Sequence, residues 1–555
     1  MREELNGNIK ELDPNSMQEQ DLRQAVLDLM NVVDKRDGAI VELTEEIQRL
    51  RDEINRLKGE QGKPKIAANK PKPDLSSEKE RRQSKPHHKS SKQDQIPIDR
   101  EVVLKVDQEQ LPADAIFKGY EDVVVQDLVI RTDNVQFRKE KYYSPSQKRT
   151  YLAALPAGYH GQFGPKVRAW VLVMYYGGLM SEPKLLEVLQ TAGLLMSAGQ
   201  LSDMLIKDQE PFHAERAQIL EAGLKSSPWQ HLDSTGTRVN GHNEHCHVLA
   251  NPLYTLYCTL PCKDRMSMLR VLQGGADPIF RYNDLAAQLM EQLGITDKWK
   301  SALPTLLPHA QDLTENELDE VLDVHLPKLG VNLRKRVKEA LAIAAYRTQS
   351  SYPIARLLLC DDAPQFNALT AELALCWLHE YRHYKTLIPR FAHHVRLLQD
   401  FDKSFWKLYQ GLLDFRDHPD PAQAAAMADA FDQLFGQVSG YELLDECKRR
   451  TLAKKEHLLM VLSHPEILLH NNPAELGARQ RVRKRDVSLQ ARTREGIGAW
   501  DTFQTLVATA KKLGVNLFHY VLDRILGAHA LPSFATLIGE QAQLLALGTS
   551  WQQGP

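Results

Sequence analysis

The sequence predicts an α/β core with large helical insertions, a small β-rich module ahead of it and an N-terminal coiled coil. Three observations predict this. Two short apolar runs, His231-Leu232-Asp233 and Arg356-Leu357-Leu358-Leu359-Cys360-Asp361, end in aspartate and read as core strands. Long amphipathic helical stretches lie between and after them. An apolar heptad runs through residues 15–60.

The chain has 555 residues, enough for several domains, and 43% of them are hydrophobic, enough for a sizeable core. A net charge of −2 excludes a chain that is basic throughout, so any nucleic-acid binding has to come from local patches. No apolar run reaches the length of about 18 residues that a membrane helix needs. Met1-Arg2-Glu3-Glu4 lacks the start of a signal peptide. The expectation is a soluble cytoplasmic protein with no membrane partner. The six cysteines (Cys246, Cys258, Cys262, Cys360, Cys376 and Cys447) contain no CxxC pair. Cys258-x-x-x-Cys262 has no matching second half. Reduced, mostly buried thiols are expected, and no zinc.

Along the chain, Asn15 and Ser16 are placed to cap a helix over 15–60. Its heptad positions are Leu22, Val26, Leu29, Val33, Ile40, Leu43, Ile47, Leu50, Ile54 and Leu57, with Arg36 the exception. Glu45, Glu46, Arg49, Arg51 and Glu53 flank them. A homo-oligomer through this coiled coil is expected over a single helix docked on the body. Residues 61–98 lose the period and gain Lys, Pro, Ser and Gln, which predicts a flexible basic linker. Residues 99–160 predict a small β module with strands at 102–106, 123–130 and 135–137. Residues 161–225 predict helices at 167–176, 182–191 and 197–206, broken by Gly177-Gly178 and Gly193. A helix-turn-helix and a plain helical connector fit that spacing equally. Residues 226–275 carry three strands and a helix at 266–272. Residues 276–350 read as a helical insertion. Residues 354–390 read as strand, helix, strand, at 354–360, 365–370 and 372–377. Residues 391–465 form a second helical insertion, and 471–530 close the chain with helices.

A lone aspartate at a strand end is ordinarily a turn or cap residue. Two further carboxylates change that reading. Asp361 ends the second apolar strand, and Glu475 lies in the first turns of the helix opened by Asn471-Asn472-Pro473. Asp233, Asp361 and Glu475 together make an oxygen-ligand set for two hard divalent cations, Mg²⁺ with Mn²⁺ as its substitute. Such a pair suits phosphodiester chemistry. Asp362 follows Asp361 on a strand, so it points the other way. Asp264 and Asp277 read as solvated loop residues. Trp377 reads as core, and His379 fits a core position and a DNA-facing one equally. The basic run Arg479, Arg481, Arg483, Lys484, Arg485, Arg492 and Arg494 is placed to hold a nucleic-acid backbone beside the carboxylates.

Four segments resemble one family. They are Phe163-Gly164-Pro165-x-x-Arg168-Ala169 with Tyr175-Tyr176-x-Gly178-Leu179; Asp233-Ser234-Thr235-Gly236-Thr237-Arg238-Val239; Asp361-Asp362-Ala363-Pro364-Gln365-Phe366 with Cys376-Trp377-x-His379-x-x-Arg382; and Asn471-Asn472-Pro473-Ala474-Glu475 with residues 508–520. In this order, over most of residues 20–530, the chain resembles transposases of the insertion-sequence 66 family. The resemblance implies a DDE triad of Asp233, Asp361 and Glu475 on an RNase H-like mixed sheet with helices. It implies metal-dependent cleavage and strand transfer of an insertion sequence. The implied partners are double-stranded DNA, both element ends and target, and companion proteins of the element, with association with the nucleoid. The chain departs from the family in four ways. Residues 99–160 hold no cysteine, so the usual zinc module is absent. The segment between the aspartates is longer. His470 replaces an Asp, and Leu476 replaces an Arg. A retired DNA-binding derivative and a metal-dependent nuclease on the same fold are the competing expectations.

Overall fold

In the computed structural model, residues 14, 19–57, 96–107, 111–112, 115–128 and 131–552 are described. Helix α1 (Gln20–Leu57) spans 38 residues. It has two different halves. Around Arg36, where the heptad breaks, it docks on the body. Asp34 and His394 are buried and paired, with Asp34 Oδ2 2.7 Å from His394 Nδ1. Asn31 donates to Gly440 O at 3.1 Å and accepts from Glu442 N at 3.0 Å. Beyond that point Ile40, Leu43, Ile47, Leu50 and Ile54 remain exposed. The predicted linker falls outside the described residues over 61–95.

The β module differs from its prediction. Residues 102–106, 115–128 and 135–137 form no strand, and Val102, Leu104, Val123, Val125 and Leu128 lie at the surface. Among the described residues of the module only a hairpin forms, β1 (Lys141–Ser144) against β2 (Arg149–Leu152). β-Branched content reports fit to a half-buried sheet face, and these segments meet no partner strand.

The helical lead-in follows its prediction. α2 (Pro165–Leu172) opens on a proline and passes into a π-helical turn, Val173–Gly177. α3 (Glu182–Thr191), α4 (Ala198–Ile206) and α5 (Glu210–Ser226) follow. Ser197 and Gln200 cap α4 reciprocally.

The central sheet uses β3 (Trp229–Val239), β4 (His242–Ala250) and β5 (Thr255–Leu260). Then comes the first insertion: α6 (Arg265–Leu272), β6 (Phe280–Arg281), α7 (Asp284–Gln292), α8 (Asp297–Leu306), β7 (Asp312–Leu313), α9 (Glu315–His325) and α10 (Val331–Thr348). The chain returns as β8 (Leu357–Cys360) and β9 (Glu372–Leu375). Between them a 3-10 turn, Pro364–Phe366, stands where a helix over 365–370 was expected. The sheet order is β5-β4-β3-β8-β9. β3, β4 and β5 are antiparallel, while β8 pairs parallel with both β3 and β9. α11 (Trp377–Lys385) leads into the second insertion, α12 (Ala392–Asp417), α13 (Pro421–Gly436), α14 (Glu442–Leu452) and α15 (Lys455–Leu458). α16 (Asn472–Ser488), α17 (Arg494–Leu513), α18 (Leu517–Leu526) and α19 (Phe534–Leu545) close the chain.

Two helices fix the sheet. α17 lies along β5 and covers its free edge. The N–H groups of Thr255, Tyr257 and Thr259 donate to Thr509, Thr505 and Asp501 at 3.4, 3.0 and 2.7 Å. Every fourth helical residue thus meets every second strand residue, because both steps advance about 6–6.6 Å. An edge that would otherwise recruit another strand is closed. α16 crosses β3 and β4 with a small-residue face. Ala474 and Ala478 pack on Cys246, Val248 and Tyr257. A Cβ on Gly477 would stand 2.6 Å from Val248 Cγ1 and 3.2 Å from Thr255 Cγ2.

Gly477→Ala is therefore expected to lose about 1–2 kcal/mol despite its better helix propensity. Gly498→Ala, on α17 with nothing within 4 Å of its Cβ, should gain up to about 1 kcal/mol. Chemical denaturation of both variants checks the opposite signs.

Candidate active site

The parallel pairing sets the site. Trp229 pairs with Leu357, and His231 with Leu359. Two residues further along each strand stand Asp233 and Asp361. With a side-chain period of two, both carboxylates fall on one face, Asp361 just past the end of β8 and Asp233 inside β3, which continues to Val239 instead of ending at the aspartate as expected. Asp361 Oδ1 accepts from Ala363 N at 3.1 Å, which turns the chain away after β8. Asp233 Oδ1 accepts from Ser234 N at 2.7 Å. Across that face, α16 brings Glu475 in its first turn.

The three carboxylates sense one another. Burial pushes the Asp233 carboxyl up to about 6; Glu475 and Asp361 add to the rise, and the Ser234 N–H and Arg382 oppose it. Asp361 lines an open cleft of about 300 Å³ with Cys376, His379, Arg382 and His383. Glu475 Oε2 lies 3.4 Å from Arg382 Nη2, and its Oε1 lies 3.5 Å from His379 Nδ1. Both Glu475 Oε1 and His379 Nδ1 are buried and make no hydrogen bond. Burial lowers the His379 pKa from its ordinary value; Glu475 opposes that shift and Arg382 adds to it. An acidic cluster with an unsatisfied buried carboxylate oxygen fits a hard divalent cation.

α11 explains why His379 and Arg382 face the cleft. Trp377, Tyr381 and Tyr384, at helical spacing, form its back. They pack on Phe401, Phe405 and Tyr409 of α12 and Phe431 and Phe435 of α13. Trp377 is core, as expected, and donates to Leu458 O at 2.8 Å. Residues 379 and 382 occupy the opposite face. Sequence reasoning left His379 open between two roles and gave Arg382 none. The spacing of Cys376-Trp377-x-His379-x-x-Arg382 carried the signal.

Asn471 positions Glu475, a role absent from the sequence reading. It donates from Nδ2 to Leu232 O at 2.9 Å and accepts at Oδ1 from His231 Nδ1 at 3.1 Å. Its own N–H donates to Cys376 Sγ at 3.3 Å. Burial pushes the His231 pKa down to about 3, so the ring is neutral. One side chain thus ties the start of α16 to β3, one residue before Asp233.

The basic run divides. Arg479, Arg483 and Arg492 are exposed. Arg485 donates to Gly236 O, and Arg494 grips Glu244 with both terminal nitrogens. Arg481 and Lys484 contradict the DNA-facing expectation. Arg481 is fully buried, paired with Asp501 and set over the Tyr257 and Trp500 rings. Lys484 donates to Tyr175 O at 3.0 Å, lies 3.1 Å from the Tyr175 ring centre, and burial lowers its pKa to about 7. The reason is helical geometry: 477, 481 and 484 share the face turned to the sheet and α17. Asp362 pairs with Lys454 and lines the same cleft as Asp361. Asp277 is exposed, but Asp264 is not a free loop residue; it caps α6 and pairs with Lys335 at 2.8 Å. Among the described residues, the side chains close enough to share one ion are Cys376, His379 and Glu475.

The chain is 29% identical over 331 residues to uncharacterized protein y4jO of Sinorhizobium fredii, an alignment that covers 58% of this chain and 100% of that protein. No protein-family model matches the chain, and no solved structure matches it.

Asn471→Ala should destabilise the fold by about 2–3 kcal/mol, because Leu232 O and His231 lose buried partners. Urea unfolding measures the loss. A change below about 0.5 kcal/mol would remove Asn471 from this positioning role.

Proposed function

We propose that this chain is a DDE-type DNA transposase on an RNase H-like fold. The observation that carries the reading is the β3–β8 register, which sets Asp233 beside Asp361 while α16 delivers Glu475 to the same face. The sheet supports it: three antiparallel strands joined to two parallel ones, in the order β5-β4-β3-β8-β9, is the strand arrangement of RNase H-like domains. The long helical insertions before β8 and after α11 leave that sheet uninterrupted.

Asp233, Asp361 and Glu475 would hold divalent cations, which when bound would supply the charge that activates a water and stabilises the departing 3′-oxygen. The protein's own groups do the rest. Burial, with the neighbouring carboxylates adding to it, raises the Asp233 carboxyl to about 6, so near neutral pH it is largely ionised and its oxygens can serve as ligands. Ser234 N–H and Ala363 N–H fix one oxygen of each aspartate. Arg382 lies beside Glu475 and offsets part of the clustered charge. Exposed Arg479, Arg483 and Arg492 contact the DNA backbone. Cleavage breaks the P–O3′ bond at the element end, with water supplying the new oxygen on phosphorus. The freed 3′-OH then attacks a target phosphodiester, forming one P–O bond as another breaks.

Self-association belongs to the same reading. The stripe Ile40, Leu43, Ile47, Leu50 and Ile54 steps by three and four residues and is exposed, as a coiled-coil seam in a lone chain would be. No helix of the described residues is long and apolar enough to cross a membrane.

Two outcomes are expected. With Mg²⁺ and DNA carrying the element's terminal repeats, the wild type should yield joined product. Asp233→Asn should lower cleavage and joining by at least about 10²–10³-fold while DNA retention persists; unchanged cleavage removes the triad, and cleavage without joining identifies a nuclease. Leu43→Lys/Leu50→Lys spares the docked half of α1 and should reduce the oligomer to monomer by light scattering; an unchanged mass places the oligomer interface elsewhere.

A further inference from the structure

We infer that His379 is a nitrogen ligand to the cation held by Glu475, so that one of the two metal positions is a mixed nitrogen–oxygen site. The inference rests on the metal-dependent reading above and goes beyond its three carboxylates. Glu475 Oε1 and His379 Nδ1 are 3.5 Å apart. Each is buried, and neither makes a hydrogen bond. Two adjacent ligand atoms at about 2.1 Å from one ion stand roughly 3.0–3.5 Å apart. The observed separation is therefore that of two ligands to a shared cation, and a cation between them would satisfy both orphaned atoms.

The neighbouring groups narrow the ligand set. Glu475 Oε2 is directed to Arg382, which leaves Oε1 for the ion. Cys376 Sγ lies close to both donors, but it accepts the Asn471 N–H. That bond is part of the tie that starts α16, and hard cations such as Mg²⁺ and Mn²⁺ take oxygen and nitrogen in preference to sulfur, so the site is read as nitrogen–oxygen. The aromatic back of α11 holds His379 in place, so the nitrogen is presented without a loop rearrangement. An imidazole suits Mn²⁺ better than Mg²⁺, which keeps oxygen ligands and water. His379 thus biases this position toward Mn²⁺ relative to an all-carboxylate pair.

The test uses full-length protein loaded with Mn²⁺ alone and pulsed electron paramagnetic resonance. The wild type should show ¹⁴N coupling from a directly bound imidazole. His379→Gln and His379→Ala should lose that coupling and weaken Mn²⁺ binding by about tenfold or more. Bound Mn²⁺ that needs Asp233 but shows no ¹⁴N coupling would overturn the inference and leave the metal-dependent reading standing. Coupling that persists in both variants would also overturn it, since another histidine would be the ligand. No Mn²⁺ binding at all would overturn the inference together with the reading beneath it.

Discussion

Parallel pairing between β3 and β8 is the constraint on which the rest depends. It comes from two short runs, Trp229-Gln230-His231 and Leu357-Leu358-Leu359, both buried. A one-residue slip would turn Asp233 and Asp361 to opposite faces. The register therefore has to be held, and its cost is electrostatic. Two aspartates side by side, with a glutamate across from them, repel one another in a partly buried site. The rise of the Asp233 carboxyl to about 6 comes first from burial, with that repulsion adding to it. A fold that keeps such a cluster must be stabilised elsewhere. Here the supporting interactions lie within one helix of the cluster.

α16 supplies most of them, and its sequence divides by face. Asn471 ties its start to β3, and Ala474, Gly477 and Ala478 let it lie low on β4. Arg481 and Lys484 then extend the same face as buried basic groups against Tyr257, Tyr175 and Trp500. The Arg481 guanidinium, stacked on aromatic faces in a desolvated site, contributes on the order of 2 kcal/mol, while Lys484, pushed down to about 7 by burial, is only partly charged near neutral pH. A basic run read as one surface is thus two surfaces. Half of it anchors the helix that carries Glu475, and the other half stays in solvent.

The elements with strong periodicity were legible in the sequence. The strands that carry Asp233 and lead to Asp361, the helices near 182–191 and 197–206, and the long N-terminal helix all follow from local pattern. The β module was not legible, because Val102 to Val106 and Val123 to Leu128 have strand composition and no partner. Strand formation depends on a neighbour that composition does not encode. The carboxylates were readable as residue types at strand ends. Their environment was not. That His379 meets Glu475, that Asn471 bonds to His231, and that Lys484 is buried are all contacts between residues far apart in sequence. No window of the chain contains them.

The N-terminal helix joins these two scales. Its heptad fails at Arg36, and there α1 rests on α12 and α14 through Asp34, Asn31 and Lys35. Those helices belong to the insertion whose aromatic cluster packs the back of α11. The front of α11 holds His379 and Arg382 against Glu475. A continuous packed path therefore runs from the docked half of α1 to the carboxylates. The break in the heptad is not a flaw in a coiled coil. It marks where the helix docks on its own body, with a buried Asp34–His394 pair as the fastening. In a self-associated form, the partner's position would be fixed relative to the site through that fastening rather than through a flexible tether.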